Sequence, residues 1–362
     1  MEKKVKISPF QLTILLVLSR MFTVISYSST NSPLTHGTVS VLTTIISAVI
    51  QYAFVILAAF LCTGDQGVSP LFLTGRGAKT GHFIFGGLYW GFSLLICLHT
   101  VLHFTYFLTL SFYDFQKAWP IALVFVFCTG VAVSQGLEAF ARGSAIFALV
   151  VALGIGCIAL GLWREYDFLN WVRMPWNIMD TAWGVYQGFA ANFELVALLI
   201  LLPYTHLENL RPRMAAGWLG IVAILSVGMI LITTFSLGEY AGLKIFPIFA
   251  AAASAKVLLF QHLDAVFMGI WVLLAFVKGT VFLFLASSMW GELYRREMTG
   301  AIVWANAGLV MILALLSLNW EMLSKGIYWI AGSGVATVVA VLILPLVGWL
   351  LRANNCKGGN TS

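Results

Sequence analysis

Glu194 stands inside the run Thr181-Ala-Trp-Gly184-Val-Tyr-Gln-Gly188-Phe-Ala-Ala-Asn192-Phe-Glu194, which continues as an unbroken apolar stretch to Pro203. A carboxylate at the centre of such a helix costs roughly 2.5 to 3.5 kcal/mol in a bilayer, so it marks a cavity or a paired charge. Gly184 and Gly188, four residues apart, lower helix stability and let a bound molecule approach the backbone. The stretch is therefore expected to break near the carboxylate, with Asn192 and Glu194 beside a bound molecule. The competing reading is a glutamate that only caps a kink or ties down a neighbouring helix.

Three other apolar stretches carry polar groups at helical spacing. Ser19, Thr23, Ser26 and Thr30 follow offsets of 0, 4, 7 and 11, which puts them on one face. They contact a ligand or bond back to their own helix, as hydroxyls often do. Arg20 adjoins that face, either deep enough to function or snorkelling to the interface. His99, His103 and Tyr106 share a face of another helix. They line a cavity, relay protons or simply pack. A metal centre of the membrane di-iron type needs further histidine clusters, and the chain has 6 histidines in all, so no metal, cofactor or catalytic residue is expected.

Lys278 follows Asp264 by about 21 Å of helix, too far to pair with it. A buried ammonium needs a partner. Glu194 and exposed carbonyls at a helix break are the candidates, unless Lys278 snorkels to the cytoplasmic interface.

The elements that carry these residues follow from composition. Hydrophobic residues make up 60% of the 362, charged residues 9%, and the mean hydropathy is +0.95, which excludes an ordinary soluble domain. Ten stretches are long and apolar enough to span a bilayer: about 10–28, 38–62, 83–111, 118–134, 142–162, 181–203, 217–238, 262–288, 300–318 and 328–350. The alternation of a transmembrane barrel is absent, so the fold class is an all-α integral membrane protein.

With ten spans both termini share one side. That side collects 12 of the 20 Lys and Arg, against 6 opposite, with Arg20 and Lys278 inside spans. Both termini are expected to be cytoplasmic. The net charge of +6 reflects this bias and anionic lipid, and gives no argument for nucleic acid. The first apolar run reads as a span rather than a cleaved signal peptide. The five cysteines, Cys62, Cys97, Cys128, Cys157 and Cys356, show no metal-ligand or redox spacing.

Connections are short, so residues 1–362 are expected to form a single transmembrane domain. The longest outer loops carry Trp163, Phe168, Trp171, Trp176 and Phe246-Pro247, read as interfacial anchors or short surface helices. Ten spans divide into repeats of five, about 10–162 and 181–350, in opposite orientation. That is the arithmetic of an inverted repeat with its site near the midplane.

The ordered set Ile7-Ser-Pro-Phe-Gln11, Gly136-Leu-Glu138-Ala-Phe-Ala-Arg142, Phe193-Glu194 with Pro203, Phe246-Pro247, Leu263-Asp264 and Phe276-Val-Lys278 resembles the B subunit of spore germinant receptors. That is the GerB-type branch of the amino acid-polyamine-organocation permeases. The resemblance implies a LeuT-type 5+5 inverted repeat, with spans one and six unwound at a midplane site and spans three and eight lining it. It also implies a nutrient such as an amino acid as ligand, A and C receptor subunits as partners, and the spore inner membrane as location. The residues placed around the pocket are then Ser19, Thr23, Ser26, His99, His103, Tyr106, Gly184, Gly188, Asn192 and Glu194, with Lys278 as coupling or structural charge. Two departures stand out: Ser19-Arg-Met-Phe-Thr23-Val-Ile-Ser26 contains no glycine, and Gln261-His262 replaces an expected basic residue.

Three functions remain open on these residues. A nutrient sensor would signal to partner subunits. A proton-coupled amino acid transporter would use Glu194 as its proton site. A degenerate permease would serve as a scaffold or a water or ion conduit.

Overall fold

Hydrocarbon offers a backbone no hydrogen-bonding partner, so an apolar run must satisfy its own N–H and C=O groups as a helix. The computed structural model follows that rule. It describes residues 7–26, 37–63, 79–111, 118–171, 177–205, 212–256, 263–294 and 298–347. Thr30, Trp176, Gln261 and His262 lie outside the described residues, as do many of the charges used to orient the chain, among them Lys3, Lys4, Lys6, Arg76, Lys117, Arg295, Arg296, Arg352 and Lys357.

The long helices are α1 (Pro9–Ser26), α2 (Thr38–Thr63), α3 (Lys79–Ser111), α4 (Ala118–Ser134) and α5 (Leu137–Gly161). The next stretch is divided into α6 (Ile178–Ala190) and α7 (Glu194–Leu201). Then come α8 (Pro212–Leu237), the short α9 (Pro247–Ser254), α10 (Asp264–Tyr294) and α11 (Gly300–Asn319). The last stretch is α12 (Glu321–Gly332) followed by α13 (Val335–Val338) and a π-helical segment Val339–Ile343. The described residues form no β-strand, only one isolated bridge between Ile7 and Thr205.

Eight helices among the described residues are long and apolar enough to cross a bilayer, or nine if the bent pair Glu321–Gly332 and Val335–Val347 is one span. The fourth expected stretch, α4, has 17 residues, about 26 Å at 1.5 Å per residue, short of a hydrocarbon core of about 30 Å. The count of ten is therefore not reached by length alone. The fifth helix begins at Leu137 rather than about 142. Gly136, at φ 90, turns the chain there, and the Glu138–Arg142 ion pair one helical turn apart puts charge in a first turn that a hydropathy reading excludes.

The tenth stretch is bent by 48°, where Gly334 takes φ 71. Farther along, Pro345 lacks the N–H that would bond the Val341 carbonyl and crowds that carbonyl, and the helix widens into its π turn just before it. The Tyr89 hydroxyl donates to the Ala340 carbonyl in this turn at 3.1 Å.

At the centre stands α10, packed against α3, α1, α4, α5 and α11. Its middle, from Leu274 to Met289, is buried at nearly every position, which is why it shows no amphipathic pattern in the sequence. A second seam joins α2 to α8 and α6, and α11 packs on α4. The loop containing Phe246 is divided: Leu243 and Ile245 are exposed, whereas Phe246 meets Phe107 edge-on at 4.5 Å and α9 buries Ile248, Ala251 and Ala252.

Candidate functional site

Glu194 opens α7. Its neighbours explain why the helix stops and restarts there. The chain leaves helical pairing at Ala191–Phe193, and α6 ends with carbonyls that no helical N–H takes up. Side chains from three other elements take them. Arg20 donates through Nη1 to the Ala191 carbonyl and through Nη2 to the Gly188 carbonyl at 3.3 Å. Gln51 Nε2 donates to Gly188 at 3.0 Å, and Thr337 Oγ1 to Ala190 at 2.7 Å. A cation at a helix C-terminus is also favoured by the helix dipole, so Arg20 caps rather than snorkels.

On the other side of the break Glu194 sits in the first turn of α7, where that helix's dipole favours an anion. Its Oε1 accepts from Lys278 Nζ at 2.6 Å and from Ser19 Oγ at 2.8 Å. Lys278 Nζ also donates to Thr23 Oγ1 at 2.7 Å and lies 5.0 Å from the centre of the Phe193 ring. Glu194 and Lys278 are 0% and 1% exposed. Of Lys278's three open readings, the ion pair with Glu194 is the one formed. Glu194 Oε2 is buried with no hydrogen-bonding partner among the described residues.

The hydroxyls divide into two kinds. Those of Ser93, Thr100, Thr105 and Thr109 on α3 bond back to the carbonyl four residues earlier, which is ordinary helix chemistry. On α1, Thr13 also bonds back, to Pro9, but three hydroxyls reach other elements: Ser19 to Glu194, Thr23 to Lys278, and Ser26 to the indole Nε1 of Trp271 at 2.9 Å. The helix stays continuous from Pro9 to Ser26, so the glycine-free run is not broken within those residues.

Beside the break lies a cavity of about 240 Å³ lined from α1, α2, α3, α6, α8, α9 and α12. Arg20, Thr23, His99, Gly184 and Gly188 line it. Ser19, Glu194 and Lys278 form the buried charge cluster that meets it through Thr23. Asn192 is buried and donates through Nδ2 to Gln51 Oε1 at 2.5 Å, which fixes the break to α2. Three of the expected residues go elsewhere. Ser26 is taken by Trp271. His103 packs among Phe22, Phe246 and Trp271, at ring separations of 5.8, 6.0 and 6.3 Å, and stacks on His99. Tyr106 is 41% exposed and does not line the cavity; its neighbour Phe107 is the residue that turns into the aromatic cluster, against Phe246 and Trp271. The described residues contain no group of three metal-binding side chains.

The two glycines serve packing as well as the cavity. A Cβ on Gly184 would come within 2.9 Å of Thr43 Cγ2, and one on Gly188 within 2.6 Å of Ser47 Oγ. They let α6 lie directly on α2. Gly188→Ala is therefore expected to destabilise the protein by about 1–3 kcal/mol through overpacking, measured as a lower melting temperature in detergent.

The polar face of α2 was not anticipated. Ser40, Thr44, Ser47 and Gln51 line the cavity at offsets 0, 4, 7 and 11, the same spacing that singled out α1. Gln187 from α6, with Ser226 and Thr233 from α8, completes the polar lining.

Over residues 6–322 the chain matches the model of a family described as spore germination protein. It belongs to that family. Among curated proteins none matches the chain. This spore germination protein is a multi-pass, all-α membrane protein of permease type, as its long apolar helices and its family together require. The family match takes in the charge cluster and nearly all of the cavity lining, and ends before the Gly334 bend and Thr337.

Proposed function

We propose that this chain is the nutrient-binding subunit of a spore germinant receptor, a permease-type fold that takes an amino acid in the 240 Å³ cavity and signals to A and C subunits. The observation that carries this reading is the break at Ala191–Phe193, held open by Arg20, Gln51 and Thr337 and bordered by the cavity. The cavity is larger than the roughly 150 Å³ that holds a benzene in a protein core, the scale of a small nutrient. Its lining mixes hydroxyls and amides with apolar side chains, the composition expected of a small-molecule site.

The same reading includes a LeuT-type 5+5 repeat of ten spans in one transmembrane domain, with cytoplasmic termini in the spore inner membrane. Numbering the ten apolar stretches in order, the second packs on the seventh, the third on the eighth, the fourth on the ninth, and the first on the α7 half of the sixth. Pairing of span n with span n+5 in these four cases supports two interlocked halves, although the fifth stretch packs on α1 and α10 instead.

Proton coupling through Glu194 is disfavoured by its partner. A proton on that carboxylate would leave Lys278 buried without its counter-charge. A sensor needs no such step.

The test is binding and uptake of pooled labelled amino acids, using purified protein and proteoliposomes with and without an inward proton gradient. Binding without uptake is the expected result. Gradient-driven uptake would establish a transporter instead, and absence of binding even with co-purified receptor subunits would remove the nutrient site. Ala223, on the cavity wall from α8, provides a control: Ala223→Leu is expected to abolish binding while leaving the melting temperature near that of the parent, since the added carbons enter open space.

A further inference from the structure

We infer that Arg20 reads a single carboxylate on the ligand, an inference that rests on the nutrient-binding reading above and specifies its chemistry. Among the described residues lining the cavity Arg20 is the one that carries a full charge, and no described aspartate or glutamate joins it there. Its guanidinium is turned toward α6, where both of its partners are uncharged carbonyls, those of Ala191 and Gly188. The neighbouring carboxylate, Glu194, is engaged by Lys278. Two cations and one anion, Arg20, Lys278 and Glu194, are thus buried together with a net charge of +1.

An uncompensated buried charge is costly, and an entering anion supplies what is missing. The balance sets the charge of that anion. One negative charge neutralises the cluster, whereas a phosphate dianion would invert it. The guanidinium has five N–H donors in a planar fork suited to a carboxylate. Its two partners among the described residues leave three for the ligand. Carboxylate recognition therefore requires no release of the α6 end. A simple monocarboxylate neutralises the cluster outright; a zwitterionic amino acid fits with its carboxylate at Arg20 and its ammonium held apart from the cluster, where the hydroxyls of Thr43, Thr44 and Ser47 on the cavity lining can accept from it.

The test uses the detergent-purified full chain and four probe sets: neutral amino acids, the same amino acids as C-terminal amides, short monocarboxylates such as propionate and butyrate, and inorganic phosphate. Affinity is read by thermal shift against concentration. Acids are expected to bind on the order of 10- to 100-fold more tightly than amides, the size of a charged hydrogen-bonded pair. In Arg20→Gln the ratio of acid to amide affinity falls to about one, and Arg20→Lys retains part of it. The ratio in the unaltered protein stands whether or not the variants fold. Equal binding of acids and amides, or an unchanged ratio in Arg20→Gln, would overturn the role of Arg20 while leaving a nutrient site. Preference for phosphate would overturn the charge argument. Binding of none of the four sets would overturn both this inference and the nutrient-binding reading.

Discussion

Glu194→Gln is expected to be the most destabilising single substitution in the buried cluster, lowering the unfolding free energy by about 3–5 kcal/mol. The amide can still accept from Ser19 and from Lys278, so the loss is one of charge rather than of hydrogen-bond geometry. It leaves Lys278 and Arg20 buried together with no anion between them. Lys278→Met alone costs less, because Arg20 and the N-terminal end of α7 remain to stabilise the carboxylate. The double variant Glu194→Gln/Lys278→Met restores the original net charge and is expected to recover most of the loss. Chemical denaturation in detergent of the parent, the two single variants and the double variant measures the coupling. Additive losses would show that the 2.6 Å contact contributes no interaction free energy of its own.

Gly334→Ala is the second large effect. Gly334 has φ 71, a conformation that costs an L-residue about 1–2 kcal/mol. A Cβ there would lie 2.0 Å from the Cβ of Ala190 and 2.9 Å from its Cα. The second contact is with backbone at the last residue of α6, so rotating a side chain cannot relieve it. Strain and overpacking together predict a loss of about 2–5 kcal/mol, seen as a sharp drop in folded yield and melting temperature. The damage should also reach the cavity, since Thr337, on the same bend, caps Ala190. An alanine variant with the parent's melting temperature would mean that the bend does not bear on α6 as described.

Much of the helical content was legible because burial in lipid writes itself as length and apolarity. Each of the ten apolar stretches corresponds to helix among the described residues. The edges were less legible where charge intrudes, as at Glu138 and Arg142, or where apolarity runs only 17 residues, as in α4. Gly184, Gly188 and a carboxylate in one apolar run announced the break in the sixth stretch. They did not announce that the glycines face Thr43 and Ser47, since partner choice between helices is not periodic. Lys278 and Glu194 are 84 residues apart; Glu194 was one of the partners the sequence offered for the buried ammonium, and the choice among them is made only when α10 and α7 are placed beside α1. The α2 face could have been found by applying to Ser40, Thr44, Ser47 and Gln51 the spacing rule used on α1. Gln51 ends that row as the side chain that holds both Gly188 and Asn192.

Ser19 and Arg20 are consecutive residues, yet they grip opposite sides of the break: Ser19 holds the start of α7 and Arg20 the end of α6. At its other end α1 is tied to the same stretch by the Ile7 N–H donating to the Tyr204 carbonyl at 2.8 Å. Helix α1 is therefore a splint laid along α7, pinned above and below. Because Arg20 also holds the end of α6, the same helix bridges the joint at Ala191–Phe193. Any pull on the first helix, whether from a ligand at Arg20 or from a protein docked near Ile7, would be delivered to the same three-residue joint.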